Sequence, residues 1–208
     1  MAERVPCREC GAEILPATAE ATGGVCMACK KGFRKDIESS KQFYAEQRKY
    51  DPVRELWLSL VRRVSKTEQG FNGLTRDERL YFAVSCLNGE IYNGGFHQFF
   101  AGNAGEFYAV VIDGLTELGA THSLVLLREA AELLFDGQVP PVDLNARWDA
   151  MKHYPEDPSA PILPWMDELE RINEAFCEDP DQLSDRLLAF AKERGLVAPF
   201  EKDPGEGA

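Results

Sequence analysis

A chain of 208 residues, 44% hydrophobic and with a formal net charge of −12, has room for one medium domain plus a small appendage. No stretch reaches the roughly 18 apolar residues of a membrane helix, and charges and cysteines interrupt the N-terminus before a signal-type apolar run develops; a membrane-spanning helix and a signal peptide are not expected, and the chain reads as cytoplasmic. The charge is uneven: residues 1–50 carry 9 Lys and Arg against 7 Asp and Glu, whereas residues 129–185 carry 15 acids against only Arg147, Lys152 and Arg171.

The first element is set by cysteines. Cys7-Arg-Glu-Cys10 and Cys26-Met-Ala-Cys29 are two C-x2-C pairs separated by 15 residues, the spacing of a zinc ribbon or knuckle. Each such turn brings two thiolates to one ion, and structural Zn2+ takes four in a tetrahedron, leaving no open position for catalysis. Gly11, Gly23 and Gly24 permit the tight turns, and Ile14, Leu15 and Val25 are the apolar residues available to cover the site. Two disulfides are the rival reading, disfavoured by a reducing compartment. The module is placed at 1–35. Its basic end, Lys30-Lys31-Gly32-Phe33-Arg34-Lys35, is either a solvated connector or a phosphate-contacting patch.

From residue 36 the periodicity is helical throughout. A polar connecting helix is expected over 36–50, and an acidic all-α domain over 51–200, with 201–208 a disordered tail. Residues 53–66 place Val53, Leu56, Trp57, Leu60 and Val64 on one face. Thr75-Arg76-Asp77-Glu78 is a capping box opening a helix with Leu80, Val84, Leu87 and Ile91 in register, and Asn103-Ala104-Gly105-Glu106 reads as a second box. A further helix near 121–136 carries Leu124, Leu127, Ala131 and Leu134. A proline-rich connection follows over 137–164, around a short helix near 143–152. Two last helices carry Trp165, Leu169, Ile172 and Phe176, then Leu183, Leu187 and Phe190. Cys86 and Cys177 fall in apolar patterns and read as small core residues. The fold class is therefore all-α with a small N-terminal zinc module.

The most unusual segment runs Glu90-Ile91-Tyr92-Asn93-Gly94-Gly95-Phe96-His97-Gln98-Phe99-Phe100. Asn-Gly-Gly ends a helix through positive-φ residues, and the phenylalanines fill a core beyond it. Either this is a structural corner, or Glu90, Asn93, His97 and Gln98 form a polar cluster that receives a ligand or partner. No nucleophile accompanies Glu90 and His97, so no enzyme is read here. Together with Asn103-Ala104-Gly105-Glu106 and Leu118-Gly119-Ala120, the segment resembles the signature of the DMP19-like family of bacterial proteins, over roughly residues 50–195. That resemblance implies an all-α domain and, from the family's named member, a dimeric DNA mimic whose acidic surface occupies the DNA-binding site of a transcription factor. The cysteine prefix resembles a short zinc-binding module found ahead of assorted bacterial domains, some of them linked to toxin immunity.

A mimic needs carboxylates spaced on a rigid support, and helix residues three or four apart stand about 5–6 Å from each other. Asp167, Glu170, Glu174 and Glu178 follow that spacing, with Asp181 and Asp185 as an extension; Glu129, Glu132 and Asp136 form a second row. Such rows are also what the outer face of any soluble helix displays. The leading expectation is a non-enzymatic protein-interaction module that binds a basic DNA-binding protein through these rows. The alternatives are an immunity protein neutralising a basic toxin, and direct nucleic-acid binding through the zinc module, which the negative charge disfavours.

Overall fold

The computed structural model describes residues 4–47, 51–155, 157 and 159–197, so the tail expected from 201 onward lies outside the described residues. It divides into two compact units, Met1–Asp51 and Pro52–Ala208.

In the first unit, β1 (Val5–Pro6) pairs antiparallel with β2 (Glu13–Ile14), and the Cys7–Cys10 turn forms the loop of this small hairpin. Helix α1 (Pro16–Thr22) starts on proline and closes at Gly23, where the Thr22 hydroxyl donates to the Val25 carbonyl at 2.5 Å. That turn delivers Cys26 to the N-cap of α2 (Met27–Lys30), and α3 (Arg34–Gln47) follows. The apolar cluster consists of Cys7, Cys26 and Ala28, with Ile14, Val25, Cys29 and Ile37 packed against it. Leu15, expected to cover the site, is 50% exposed. Ile37, one turn into α3, covers it instead.

The second unit is helical. In α4 (Pro52–Lys66) the i, i+3, i+4 stripe turns inward: Leu60 is fully buried and Trp57 stacks on Phe82 with ring centroids 5.3 Å apart. Helix α5 (Arg76–Ala101) opens with the expected capping box, the Thr75 hydroxyl accepting from the Glu78 N–H at 3.3 Å while Glu78 accepts from the Thr75 N–H at 2.8 Å. Arg63 adds a bidentate pair to the same glutamate, tying α4 to the start of α5. Near its end α5 breaks at Gly94 and Gly95 and resumes at Phe96.

The expected second capping box does not form. Residues Asn103–Phe107 make a 3-10 turn, and α6 (Tyr108–Glu117) begins after Phe107 without a side-chain cap. The reason is packing from a distant helix: a Cβ on Gly105 would lie 2.6 Å from the Arg147 Nε, so this turn is a seat for a buried guanidinium rather than a solvated helix start. Helices α7 (Thr121–Leu134), α8 (Leu144–Ala150), α9 (Pro164–Cys177) and α10 (Leu183–Glu193) complete the unit. Leu127, Leu134, Leu169, Ile172, Phe176, Leu187 and Phe190 join the aromatic side of α5 in one continuous core. Among the described residues no helix is long and apolar enough to cross a membrane.

Candidate metal centre and interaction surface

The hairpin loop and the α2 N-terminus bring Cys7, Cys10, Cys26 and Cys29 together, with all four sulfur atoms within 4.8 Å of one another. Cys10 and Cys26 lie 3.8 Å apart. A tetrahedron with metal–sulfur bonds of about 2.3 Å has edges of about 3.8 Å, so the arrangement fits a tetrathiolate ion. The surrounding donors suit anionic sulfur. The Cys26 N–H points at the Cys7 sulfur at 3.2 Å, the Cys29 N–H at the Cys26 sulfur at 3.4 Å, and Arg34 donates to the same Cys26 sulfur at 3.2 Å. The Cys29 amide and then the Arg34 guanidinium hold Cys26 at about 6. Desolvation, followed by the neighbouring Cys10 and Cys26, pushes Cys29 up to about 12. Four crowded thiols thus share negative charge reluctantly until a dication balances it. Arg34 belongs to this cluster rather than to a free basic patch, because it also pairs with Glu38 at 3.3 Å. Lys30, Lys31 and Lys35 remain exposed.

The Asn-Gly-Gly segment is a broken helix held by side chains. Gly95 has φ 74°, and a Cβ there would lie 2.6–2.8 Å from the Asn173 carboxamide of α9. Backbone conformation and close approach therefore both require glycine. Asn173 Oδ1 accepts from the Phe96 N–H at 2.9 Å, capping the second half of α5 from another helix. Gln98 reaches back across the break and donates to Glu90 at 2.6 Å, lying where a Gly94 side chain would be. Phe96, Phe99 and Phe100 are fully buried, while Asn93 is exposed. Glu90 and Gln98 are thus brought together. His97 turns elsewhere, towards Tyr154 at 4.6 Å and His153 at 6.0 Å between ring centroids. Its Nε2 is buried without a hydrogen-bond partner among the described residues. Desolvation, then the nearby His153, lowers its pKa against an opposing hydrogen bond that the ring donates to the Lys152 backbone carbonyl, which favours the neutral ring. Cys86 is half-buried and pushed up to about 12, first by desolvation and then by Glu90 and Glu106, which makes it an inert thiol. Cys177, read as a core residue, is exposed on α9.

Arg147 was invisible as a core residue in the sequence, where it counts as one of three bases in the acidic stretch. It is fully buried. Its guanidinium donates to the carbonyls of Phe100 at 2.7 Å, Gly102 at 2.8 Å, Pro141 at 3.0 Å and Val142 at 2.7 Å. The proline-rich connection is thereby tied to the end of α5. Asp181 is buried too: its carboxylate accepts from the Ser123 N–H at 2.7 Å and faces His122 at 3.3 Å, capping α7. The proposed extension of the acidic row through Asp181 is therefore wrong, because the first turn of α7 uses that carboxylate. Although desolvation opposes it, the Ser123 and His122 contacts hold the Asp181 pKa below its ordinary value.

The remaining carboxylates stay outside. Asp167, Glu170 and Glu174 are exposed along α9 and Glu178 at its C-cap; Glu129 and Glu132 are exposed along α7, and Asp136, expected within that helix, lies in the turn just beyond its end with φ 51°. The α7 row lines a groove of about 600 Å³ with Lys152, Glu168 and Arg171. Lys152 pairs with Asp136 at 2.6 Å, and Arg171 with Glu168 at 2.7 Å and more distantly with Glu129 at 4.0 Å. Glu170 accepts from Asn173 at 3.3 Å, at the corner of α5. Asp167, Glu174, Glu178 and Glu132 have no ion-pair partner among the described residues.

These features define an all-α domain organised on a glycine-broken helix, with carboxylates on its outer helices and a four-cysteine unit ahead of it. The chain belongs to the DMP19-like protein family, whose model matches residues 72–194. No curated protein and no solved structure matches it.

Proposed function

We propose that this protein is a non-enzymatic interaction module of the cytoplasm, in which the acidic face of α7 and α9 binds a basic, DNA-binding protein in the manner of a DNA mimic. The observation that carries this reading is the one-sidedness of the charge. With Arg147 withdrawn into the core, Lys152 and Arg171 are the only bases left on the surface of residues 129–185, and both already face carboxylates. A face so poorly neutralised repels itself, and a cationic partner relieves that repulsion. The four-cysteine unit holds zinc in a structural role, since zinc favours four sulfur ligands in a closed tetrahedron. Metal binding supplies folding free energy that so small an apolar cluster does not, apparent values for such sites being about 10–16 kcal/mol.

The test captures partners on the tagged full chain from its native host, elutes them with a salt gradient and measures the purified partner's affinity. The expected result is a basic DNA-binding protein that DNA competes away. Its affinity falls with salt, because exposed charges are screened over about 8 Å at physiological ionic strength. It also falls at least tenfold when Asp167, Glu174 and Glu178 are replaced by Lys. A partner retained undiminished at high salt, or indifferent to those substitutions, refutes the acidic interface. Capture of a basic toxin instead of a DNA-binding protein replaces mimicry with immunity on the same face.

A further inference from the structure

Charge is not the only unusual property of the stretch between α7 and α9. It also exposes large apolar side chains along its length. Val142 is 71% exposed, Trp148 48%, Tyr154 42% and Ile162 68%. The aromatic members are linked through two histidines. Trp148 lies 4.3 Å from His153, His97 bridges His153 to Tyr154, and Tyr154 lies 5.2 Å from Trp165 at the start of α9. Val142 precedes this run on the segment that Arg147 grips, and Ile162 follows it just ahead of α9.

A proline-rich connection with no role beyond linking two helices has no reason to be fixed while its aromatics face water. This one is pinned repeatedly. Arg147 holds the Pro141 and Val142 carbonyls, the Lys152 N–H donates to the Leu134 carbonyl at 2.9 Å and its ammonium to the Leu133 carbonyl at 2.6 Å, and His153 bonds to the Trp148 carbonyl at 2.7 Å. The part from Pro141 to His153, which carries Trp148, is thus preorganised, which lowers the entropic cost of binding. Half-exposed Trp and Tyr on a fixed support are the side chains that most often anchor protein interfaces.

The flanking charge selects the occupant. Asp149 follows Trp148 on α8 and Asp167 lies two residues after Trp165 on α9, both exposed and without an ion-pair partner among the described residues, and desolvation followed by the nearby Glu170 raises the Tyr154 pKa. Exposed apolar side chains beside uncompensated acids fit a segment that alternates apolar and basic residues. They fit neither a naked polyanion nor a second copy of the same acidic face, because like charges would then meet.

We infer that the exposed aromatics Trp148 and Tyr154, with Val142 and Ile162 exposed before and after them in the chain, form an apolar anchor that receives the hydrophobic residues of a basic polypeptide segment, beside the acidic face that attracts it. This rests on the acidic interface proposed above and specifies the partner: a protein that offers cationic residues together with an apolar anchor, not cationic charge alone.

The test titrates the full chain with three peptides: a leucine–lysine amphipathic peptide, an oligolysine of equal charge, and the first peptide with every lysine replaced by glutamine. The expected order is tightest binding for the amphipathic basic peptide, weaker binding by roughly tenfold or more for oligolysine, and weakest for the neutral peptide. Trp148→Ala with Tyr154→Ala should abolish the tenfold advantage and leave oligolysine binding unchanged. Val142→Ser with Ile162→Ser should reduce it, at positions too exposed to affect folding. Equal affinity for oligolysine and the amphipathic peptide overturns the anchor and leaves the acidic face standing. Failure of both basic peptides to bind at low salt overturns the two together. Equal binding of the neutral peptide overturns the basic occupant, and self-association of the chain that Trp148→Ala abolishes assigns these side chains to a second copy and overturns the inference.

Discussion

Replacing Arg147 by methionine keeps the aliphatic bulk and removes the guanidinium, so it isolates the four carbonyl contacts. Hydrogen bonds from a charged donor contribute about 1.5–3 kcal/mol each. The two inward contacts, to Phe100 and Gly102, are therefore worth about 3–6 kcal/mol, whereas the Pro141 and Val142 carbonyls near the surface recover water at little net cost. Relief of the desolvation of a fully buried cation offsets part of the loss. A net destabilisation of about 2–4 kcal/mol follows, a large share of the roughly 5–15 kcal/mol total of a domain. For a helical unit of this size that corresponds to a melting temperature lower by about 4–16 °C, followed by circular dichroism. Arg147→Lys should recover only a fraction, because one ammonium cannot fork to four carbonyls. In a chain whose Trp57 and Trp165 are replaced by Phe, Trp148 emission should shift red as the connection loosens. A methionine variant within about 0.5 kcal/mol of wild type, with unchanged emission, would refute the idea that Arg147 pins the connection.

Gly95→Ala should cost about 2–4 kcal/mol in chemical denaturation, since positive φ and the Asn173 carboxamide oppose the methyl together. Asn173→Ala should cost about 1 kcal/mol through the lost cap on Phe96; equal stability of both variants to wild type would discard this account of the corner. Because the folded-state pKa of His97 lies below its unfolded value near 6.5, neutral His97 stabilises the fold above about pH 6.5 and that contribution is lost as pH falls towards the folded value. His97→Gln should flatten that part of the stability–pH curve, and an unchanged slope would assign it to another group. The purified chain should carry one zinc per molecule by elemental analysis. Chelation should unfold the first unit, and full retention of its structure in excess chelator would contradict a structural metal.

Local patterns were legible in the sequence. The two C-x2-C turns bring their own sulfurs within reach, and the Thr75–Glu78 box closes within four residues, so neither depends on the rest of the chain. Amphipathic spacing likewise located the faces of α4, α5, α7, α9 and α10. What escaped were polar side chains serving a distant backbone. Asp181 caps α7 from 58 residues away, Asn173 caps the resumed α5 from 77, and Arg147 reaches Phe100 from 47. In sequence each looks like another surface residue, because burial is decided by which helix arrives opposite it. The Asn103 box failed for the same reason, displaced by the Arg147 guanidinium seated on Gly105. A faint signal existed: an arginine followed by tryptophan, in a proline-rich stretch otherwise full of acids, departs from a uniformly solvated surface.

The corner at Gly94 and Gly95 divides the molecule into parts that can change at different rates. Glu90, Gln98, Gly95, Asn173 and Phe96 fit one another, so an altered member requires a matching change in the others. Asp167 and Glu174 on the helix that supplies Asn173, and Glu178 at its C-cap, are exposed, and among the described residues no side-chain hydrogen bond or ion pair joins them to this lock. A chain built this way can acquire a new partner by exchanging outer residues one at a time while its frame stays intact. Substitutions at these three positions should therefore leave the double-glycine corner intact, whereas a side chain added at Gly95 should disturb it.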